Sequence, residues 1–264
     1  MTIVEAILLG IIQGLTEFLP ISSSGHIELT KALLQTEFSD NLLFSIVVHA
    51  ATALSTMVVF RKDIYAILKE LFKFEWNEQT RFAAQILISI IPVGVIGVLF
   101  EDQIESIFTG RIGFVGIMLL ITALLLFFTY FKKSMDKGIT FSKAFIIGIA
   151  QAVAIMPGIS RSGATIATAL LMGVKKEDAT RFSFLMVLIP ILGATFLKVL
   201  DFLEEPAIAA STPALVLIMG FVMAFLVGLA ACTWMIKIVK KGKLIFFAIY
   251  CFIAGTIAII FAAL

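Results

Sequence analysis

The chain has 264 residues, 61% of them hydrophobic and only 14% charged, and its mean hydropathy of +1.10 excludes a water-facing globular surface. A formal net charge of +2 is too small to imply a nucleic-acid partner. The two cysteines, Cys232 and Cys251, both lie in apolar segments, so neither a disulfide framework nor a thiolate metal site is expected.

The first segment, about residues 3–34, has no basic leader region, carries Glu5, and holds Gln13 and Glu17 inside its apolar run. That pattern argues against a cleaved signal peptide. Apolar runs at roughly 42–60, 82–100, 112–131, 182–203, 213–236 and 244–264 are each long enough to cross a ~30 Å hydrocarbon core as helix. A second apolar segment broken by polar residues occupies about 144–173. Tyr65 and Trp76 read as interfacial, and Lys31 and Lys198 as snorkelling side chains.

Sixteen of the twenty lysines and arginines sit in four connectors: Arg61 to Arg81, Lys132 to Lys143, Lys175 to Arg181, and Lys237 to Lys243. By the positive-inside rule these connectors are cytoplasmic. The others lean acidic, with Glu37 and Asp40, then Glu101, Asp102 and Glu105 against Arg111, then Asp201, Glu204 and Glu205. Both flanks of 144–173 are basic, so that segment is expected to enter from the cytoplasm and return as a re-entrant helix–loop–helix. Two short interfacial helices are the plainer alternative. Non-helical backbone at membrane depth is tolerated only where protein or a water-filled cavity surrounds it.

An internal repeat accompanies this pattern. A displacement of 138 residues superposes Ala6 on Ala144, Gly10 on Gly148, Gln13 on Gln151, Ser22 on Ser160, Ser24 on Ser162 and Gly25 on Gly163, with Phe44-Ser45 on Phe182-Ser183. Counting crossings makes the first hairpin enter from outside and the second from the cytoplasm, an inverted-topology repeat whose broken helices meet in the membrane interior. The expected fold is an all-α integral membrane protein of six transmembrane helices plus two re-entrant helix–loop–helix hairpins. It forms one polytopic domain over 1–264, with repeat one about 1–131 and repeat two about 139–264, and both termini outside.

The chemistry concentrates in the two hairpins. Gln13 and Glu17 are four residues apart and share a helical face. Pro20 disfavours helix at Leu19, Ser22, Ser23 and Ser24 offer hydroxyls and caps for the next half-helix, and Gly25 allows close backbone approach. In the copy, Arg161 replaces Ser23, Ala164 replaces His26 and Ile155 replaces Glu17. Carboxylate and imidazole thus come from one hairpin and guanidinium from the other. A guanidinium fork with hydroxyls and helix N-terminal amides suits a phosphate-like ligand. The plainer readings are close helix packing for the Ser-Gly clusters and a mutual ion pair for Glu17 and Arg161. His49, alone in an apolar span, reads first as a packing residue or a supporting group.

The stretches Gln-Gly-Leu-Thr-Glu-Phe-Leu-Pro-Ile-Ser-Ser-Ser-Gly-His (13–26) and Pro-Gly-Ile-Ser-Arg-Ser-Gly-Ala-Thr (157–165) resemble the two signature motifs of the bacterial undecaprenyl-diphosphate phosphatase, or bacitracin-resistance, family. The resemblance runs over the whole chain in length, span count and repeat order. It implies an inner-membrane enzyme that removes the terminal phosphate of a C55 polyprenyl diphosphate, recycling the carrier lipid of peptidoglycan synthesis. Its site would face the periplasm, and a homodimer is among the assemblies it allows. Carried onto this chain, the resemblance makes His26, Glu17, Ser23 and Arg161 the catalytic candidates. Ser22, Ser24, Gly25, Ser160, Arg161, Ser162, Gly163 and Thr165 become the phosphate-binding ones. It also implies a divalent cation, Mg²⁺ or Ca²⁺, at Glu17 and Gln13, although glutamine at 13 removes one anionic ligand.

In the expected mechanism His26 is the nucleophile or general acid/base, with Ser23 the competing nucleophile and Glu17 orienting the histidine or holding metal. Ser24-Gly25-His26 and Ser160-Arg161 also resemble elements of the phosphatidic-acid-type phosphatases, but those place a second histidine where this chain has Ala167. The alternative from another class is a transporter or flippase for an anionic polyprenyl lipid, since inverted repeats with broken helices are common in transporters.

Overall fold

The computed structural model describes residues 1–34, 42–99, 112–132, 137–204 and 213–263. The acidic connector residues Glu37, Asp40, Glu101, Asp102, Glu105, Arg111 and Glu205, with Lys133, lie outside the described residues, as do the side chains of Lys31, Lys198, Asp201 and Glu204. The described residues form helices α1 (Ile3–Phe18), α2 (Ser23–Leu34), α3 (Leu42–Val59), α4 (Arg61–Leu71), α5 (Glu78–Leu99) and α6 (Ile112–Phe131). There follow α7 (Phe141–Val153), α8 (Arg161–Leu171), α9 (Lys176–Glu204), α10 (Ala214–Lys240) and α11 (Ile245–Ala263). The protein is an all-α membrane protein. Helices α5, α6, α9, α10 and α11 are long and apolar enough to cross a bilayer, and α3 with α4, bent by 76°, makes a sixth candidate.

Local chemistry explains where the two broken segments break. Thr2 opens α1 with a reciprocal capping box, accepting from the Glu5 amide while the Glu5 carboxylate accepts from the Thr2 amide. The helix stops at Phe18 because Leu19, which precedes Pro20, takes extended backbone (φ −73°, ψ 142°). In the copy α7 ends at Val153, and α8 starts at a Ser160 cap whose hydroxyl accepts from the Gly163 amide at 3.1 Å.

The partners of equivalent helices correspond. Helix α1 packs on α10 as α7 packs on α5; α3 packs on α10 as α9 packs on α5; and the pairs α3–α9 and α6–α11 each join one repeat to the other. Small residues let the backbones meet. A Cβ on Gly148 of α7 would overlap the Ser89 carbonyl of α5, and Cβ atoms on Gly116 and Gly255 would each press on the other's carbonyl oxygen, at 2.8 and 2.7 Å. The tip of the first hairpin lies in the main core, where Phe18, Leu19 and Ile21 pack with Leu119, Leu126, Ile166, Phe182 and Phe184, while Ala154 and Ile159 of the second tip pack with Met118 and Ala164 in a smaller cluster. Outward faces carry Leu226, Trp234, Phe246, Ile253 and Ile257, all exposed, as a lipid-facing surface requires.

Candidate active site

The tips of the two hairpins touch. A Cβ on Gly25 would lie 3.1 Å from the Gly158 Cα, and one on Gly163 3.2 Å from the Pro20 Cβ, so each tip packs on the other at equivalent places. Gly158 itself has φ +99°, a conformation L side chains rarely adopt. Ser162 Oγ adds a bond across the tips, donating to the Leu19 carbonyl at 3.3 Å.

Beside this junction lies a cavity of about 430 Å³ lined by Thr16, Glu17, Ser22, Ser23, Ser24 and Glu28 from the first hairpin, Ser45 and His49 from α3, Gln151, Ser160, Arg161 and Ser162 from the second, and Pro190 from α9. Its charged centre is the ion pair of Arg161 Nη2 with Glu17 Oε1 at 2.5 Å, the carboxylate side chain being 6% exposed and the guanidinium 30%. Glu17 Oε2 accepts from Gln13 Nε2 and from Ser23 Oγ, both at 3.0 Å. One carboxylate therefore holds the guanidinium of one hairpin and the serine of the other. The first turns of α2 and α8 both open on this space, which adds two positive helix ends to the guanidinium.

Ser22 caps α2, its hydroxyl accepting from the Gly25 amide at 3.2 Å, but with φ +71°, in the left-handed region. For a non-glycine residue this conformation costs about 1–3 kcal/mol and needs surrounding structure to hold it. His26 is part of that structure: its Nδ1–H donates to the Ser22 carbonyl at 2.8 Å. A carbonyl only accepts, so Nε2 carries the lone pair and receives the Tyr250 hydroxyl from α11 at 2.6 Å, with the two rings stacked 5.5 Å apart and 13° from parallel. The equivalent cap, Ser160, has ordinary φ −75°, and Ala164 stands where His26 would be. The imidazole thus accompanies the strained cap.

The chain matches the family described as bacitracin resistance protein BacA over residues 6–257. The chain belongs to the BacA family. Among curated proteins it is 56% identical to an undecaprenyl-diphosphatase of Christiangramia forsetii, with 99% of each chain covered. It is 53% identical to one of Bacteroides fragilis, with 98% of each covered, and 39% identical to one of Methanosphaera stadtmanae, with 98% of this chain and 97% of that protein covered.

Of the residues that the family motifs single out, Glu17, Ser22, Ser23, Ser24, Ser160, Arg161 and Ser162 line the cavity. Gln13 sits behind Glu17, 1% exposed, with its Oε1 unpartnered. Gly25 and Gly163 serve the contact between the tips, and Thr165 lies behind Arg161, donating to its carbonyl at 2.9 Å. The His26 ring turns away from the cavity towards Tyr250. His49 does line it, with Nδ1–H donating to the Ser45 carbonyl at 2.8 Å. Sequence reasoning read His49 first as a packing residue or a supporting group, used Gln151 and Ser45 only to mark the repeat, and passed over Glu28 and Tyr250. A polar residue one helical turn from another was the signal available for His49, Ser45 and Glu28.

The divalent cation that the family resemblance implies does not fit a preformed cage at Glu17 and Gln13. Both Glu17 oxygens are engaged, one of them by a guanidinium that a dication would repel, and among the described residues no group of three His, Cys, Asp or Glu side chains could hold a metal.

Proposed function

We propose that this protein is an undecaprenyl-diphosphatase of the cell membrane, removing the terminal phosphate of the C55 polyprenyl diphosphate, and that Ser23 is its nucleophile. The observation that carries the assignment of Ser23 is the shared carboxylate: Glu17 accepts from Ser23 Oγ and pairs with Arg161 across the junction of the hairpins. When the diphosphate enters, Arg161 exchanges Glu17 for phosphate oxygens, and the released carboxylate becomes the base for Ser23. Glu17 takes the Ser23 proton, Oγ attacks the terminal phosphorus, and the bridging P–O bond breaks to release the lipid monophosphate. Water then attacks the phosphoserine, passing a proton to the serine oxygen, inorganic phosphate leaves, and Glu17 gives the proton it took to solvent, restoring the carboxylate. Arg161 and the first-turn amides of α2 and α8 stabilise the charge that develops, a contribution of ~10²–10³ in rate for one well-placed donor. His26 acts at one remove, holding the Ser22 carbonyl so that Ser23 faces Glu17. Any divalent cation arrives with the diphosphate rather than residing at Glu17.

The two halves form an inverted-topology repeat with α1–α2 and α7–α8 as re-entrant hairpins in one polytopic domain. The exchange of helix partners supports this, and so does the surrounding space. The cavity is flanked by Ser45, His49 and Pro190, and a much smaller pocket behind the ion pair by their 138-residue counterparts Ser183, Val187 and Thr52. The cavity's mouth opens on the periplasmic face of the inner membrane in this reading, with both termini on that side, and the basic connectors support it through the positive-inside rule.

The test is a reaction of purified enzyme with polyprenyl diphosphate, with and without EDTA, quenched in parallel with acid and with a neutral denaturant that preserves acid-labile phosphoryl groups. The expected product is an acid-stable phosphoserine on the peptide containing Ser23, absent from Ser23→Ala. An acid-labile phosphohistidine on the His26 peptide would overturn the assignment of the nucleophile. EDTA is expected to slow turnover without changing the protein's melting temperature, since no resident ion is removed; a lowered melting temperature would mean a resident ion.

A further inference from the structure

Gln151 occupies the last turn of α7, 1% exposed, and faces the cavity that holds Glu17, Ser23 and Arg161. Neither its Nε2 nor its Oε1 has a hydrogen-bond partner, the only described amide side chain of which this is true. Its counterpart Gln13 spends Nε2 on the Glu17 carboxylate one turn on. One turn beyond Gln151 the copy has Ile155 instead, so the internal partner of the first hairpin is missing from the second while the amide is kept. A buried amide without a partner costs stability, and buried polar groups in folded proteins are otherwise almost always bonded. Leucine, of nearly the same volume, would fill the space without that cost. An amide retained in such a place is poised for something that enters the cavity.

We propose that Gln151 is a substrate-binding residue for the reaction, donating its Nε2–H to a non-bridging oxygen of the terminal phosphate. This rests on reading the cavity as the diphosphate site. The anion then meets donors from three helices: Ser24 from α2, Arg161 from α8 and Gln151 from α7. The amide carries no charge, so it adds direction to the grip of Arg161 without further repulsion between cations.

The experiment compares wild type, Gln151→Leu and Gln151→Glu in detergent, reading phosphate release, inhibition by inorganic phosphate and melting temperature, with Glu17→Gln as a control for the site itself. In Gln151→Leu, kcat/KM is expected to fall about 10- to 100-fold, the value of one hydrogen bond to a charged group. Inhibition by inorganic phosphate weakens in parallel, while the melting temperature stays level or rises. Gln151→Glu loses more, because its carboxylate repels the phosphate. A Gln151→Leu enzyme with wild-type kcat/KM overturns the proposal, and so does one that loses activity together with several degrees of melting temperature. A Glu17→Gln enzyme that keeps wild-type turnover instead removes the underlying reading of the cavity.

Discussion

The Tyr250 hydroxyl donates to His26 Nε2 while the other nitrogen of that imidazole holds the carbonyl of the strained Ser22. Tyr250→Phe keeps the ring stack and deletes one hydrogen bond, a loss of about 1 kcal/mol. We expect kcat to fall roughly 3- to 10-fold with KM within about twofold, because the serine turn loosens while the phosphate donors remain. Unchanged kcat would remove the clamp from the mechanism, and an equal rise in KM would place His26 on the substrate instead. The serines, Glu17 and Arg161, which line one cavity in the structure, were legible as candidates because charge and hydroxyls packed into an apolar segment have few other uses. The orientation of His26 was not, since its partner lies 224 residues away and nothing within the motif distinguishes an imidazole aimed at phosphate from one aimed at a phenol.

Helix α7 meets α5 backbone to backbone at Gly148, where an added methyl would press on Ser89 and no flexible side-chain end can yield. Overpacking of this kind costs about 1–3 kcal/mol. Gly148→Ala is therefore expected to lower the melting temperature in detergent by roughly 2–10 °C. Gly94→Ala, on α5 with nothing within 4 Å of the added atom, is expected to be neutral or slightly stabilising. Equal effects at both sites would mean that helix propensity, and not the α5–α7 contact, sets the response. The element boundaries followed closely from apolar run length, and α6 occupies the expected 112–131. Helix α4 was missed because five basic residues between 61 and 81 read as a connector. Its apolar residues Ile64, Ile67, Leu68 and Leu71 nevertheless recur at helical spacing, and Ile67 is buried. Basic residues and an amphipathic helix coexist at a membrane surface because the cations face the head groups.

For the whole molecule the deciding property is which side of the membrane the cavity serves. As an expectation, an inverted arrangement was legible before any coordinates from the 138-residue displacement and the placement of sixteen cations in four connectors, because both are global patterns. The size of the cavity was not, since it depends on how the tips meet at Gly25, Gly158, Gly163 and Pro20. Both native thiols, Cys232 and Cys251, are fully buried, so an introduced cysteine can be read against a quiet background. Ser45→Cys places a thiol on the cavity wall, and Lys241→Cys places one in an exposed turn of a basic connector. In intact spheroplasts a membrane-impermeant maleimide is expected to label Ser45→Cys, with protection by polyprenyl diphosphate, and to reach Lys241→Cys only after permeabilisation. The opposite order would turn the molecule over, placing the phosphatase on the cytoplasmic leaflet. The expected order makes hydrolysis an event of the outer leaflet, where Arg161 and the helix ends meet the diphosphate head group while the apolar helix faces remain in contact with its tail.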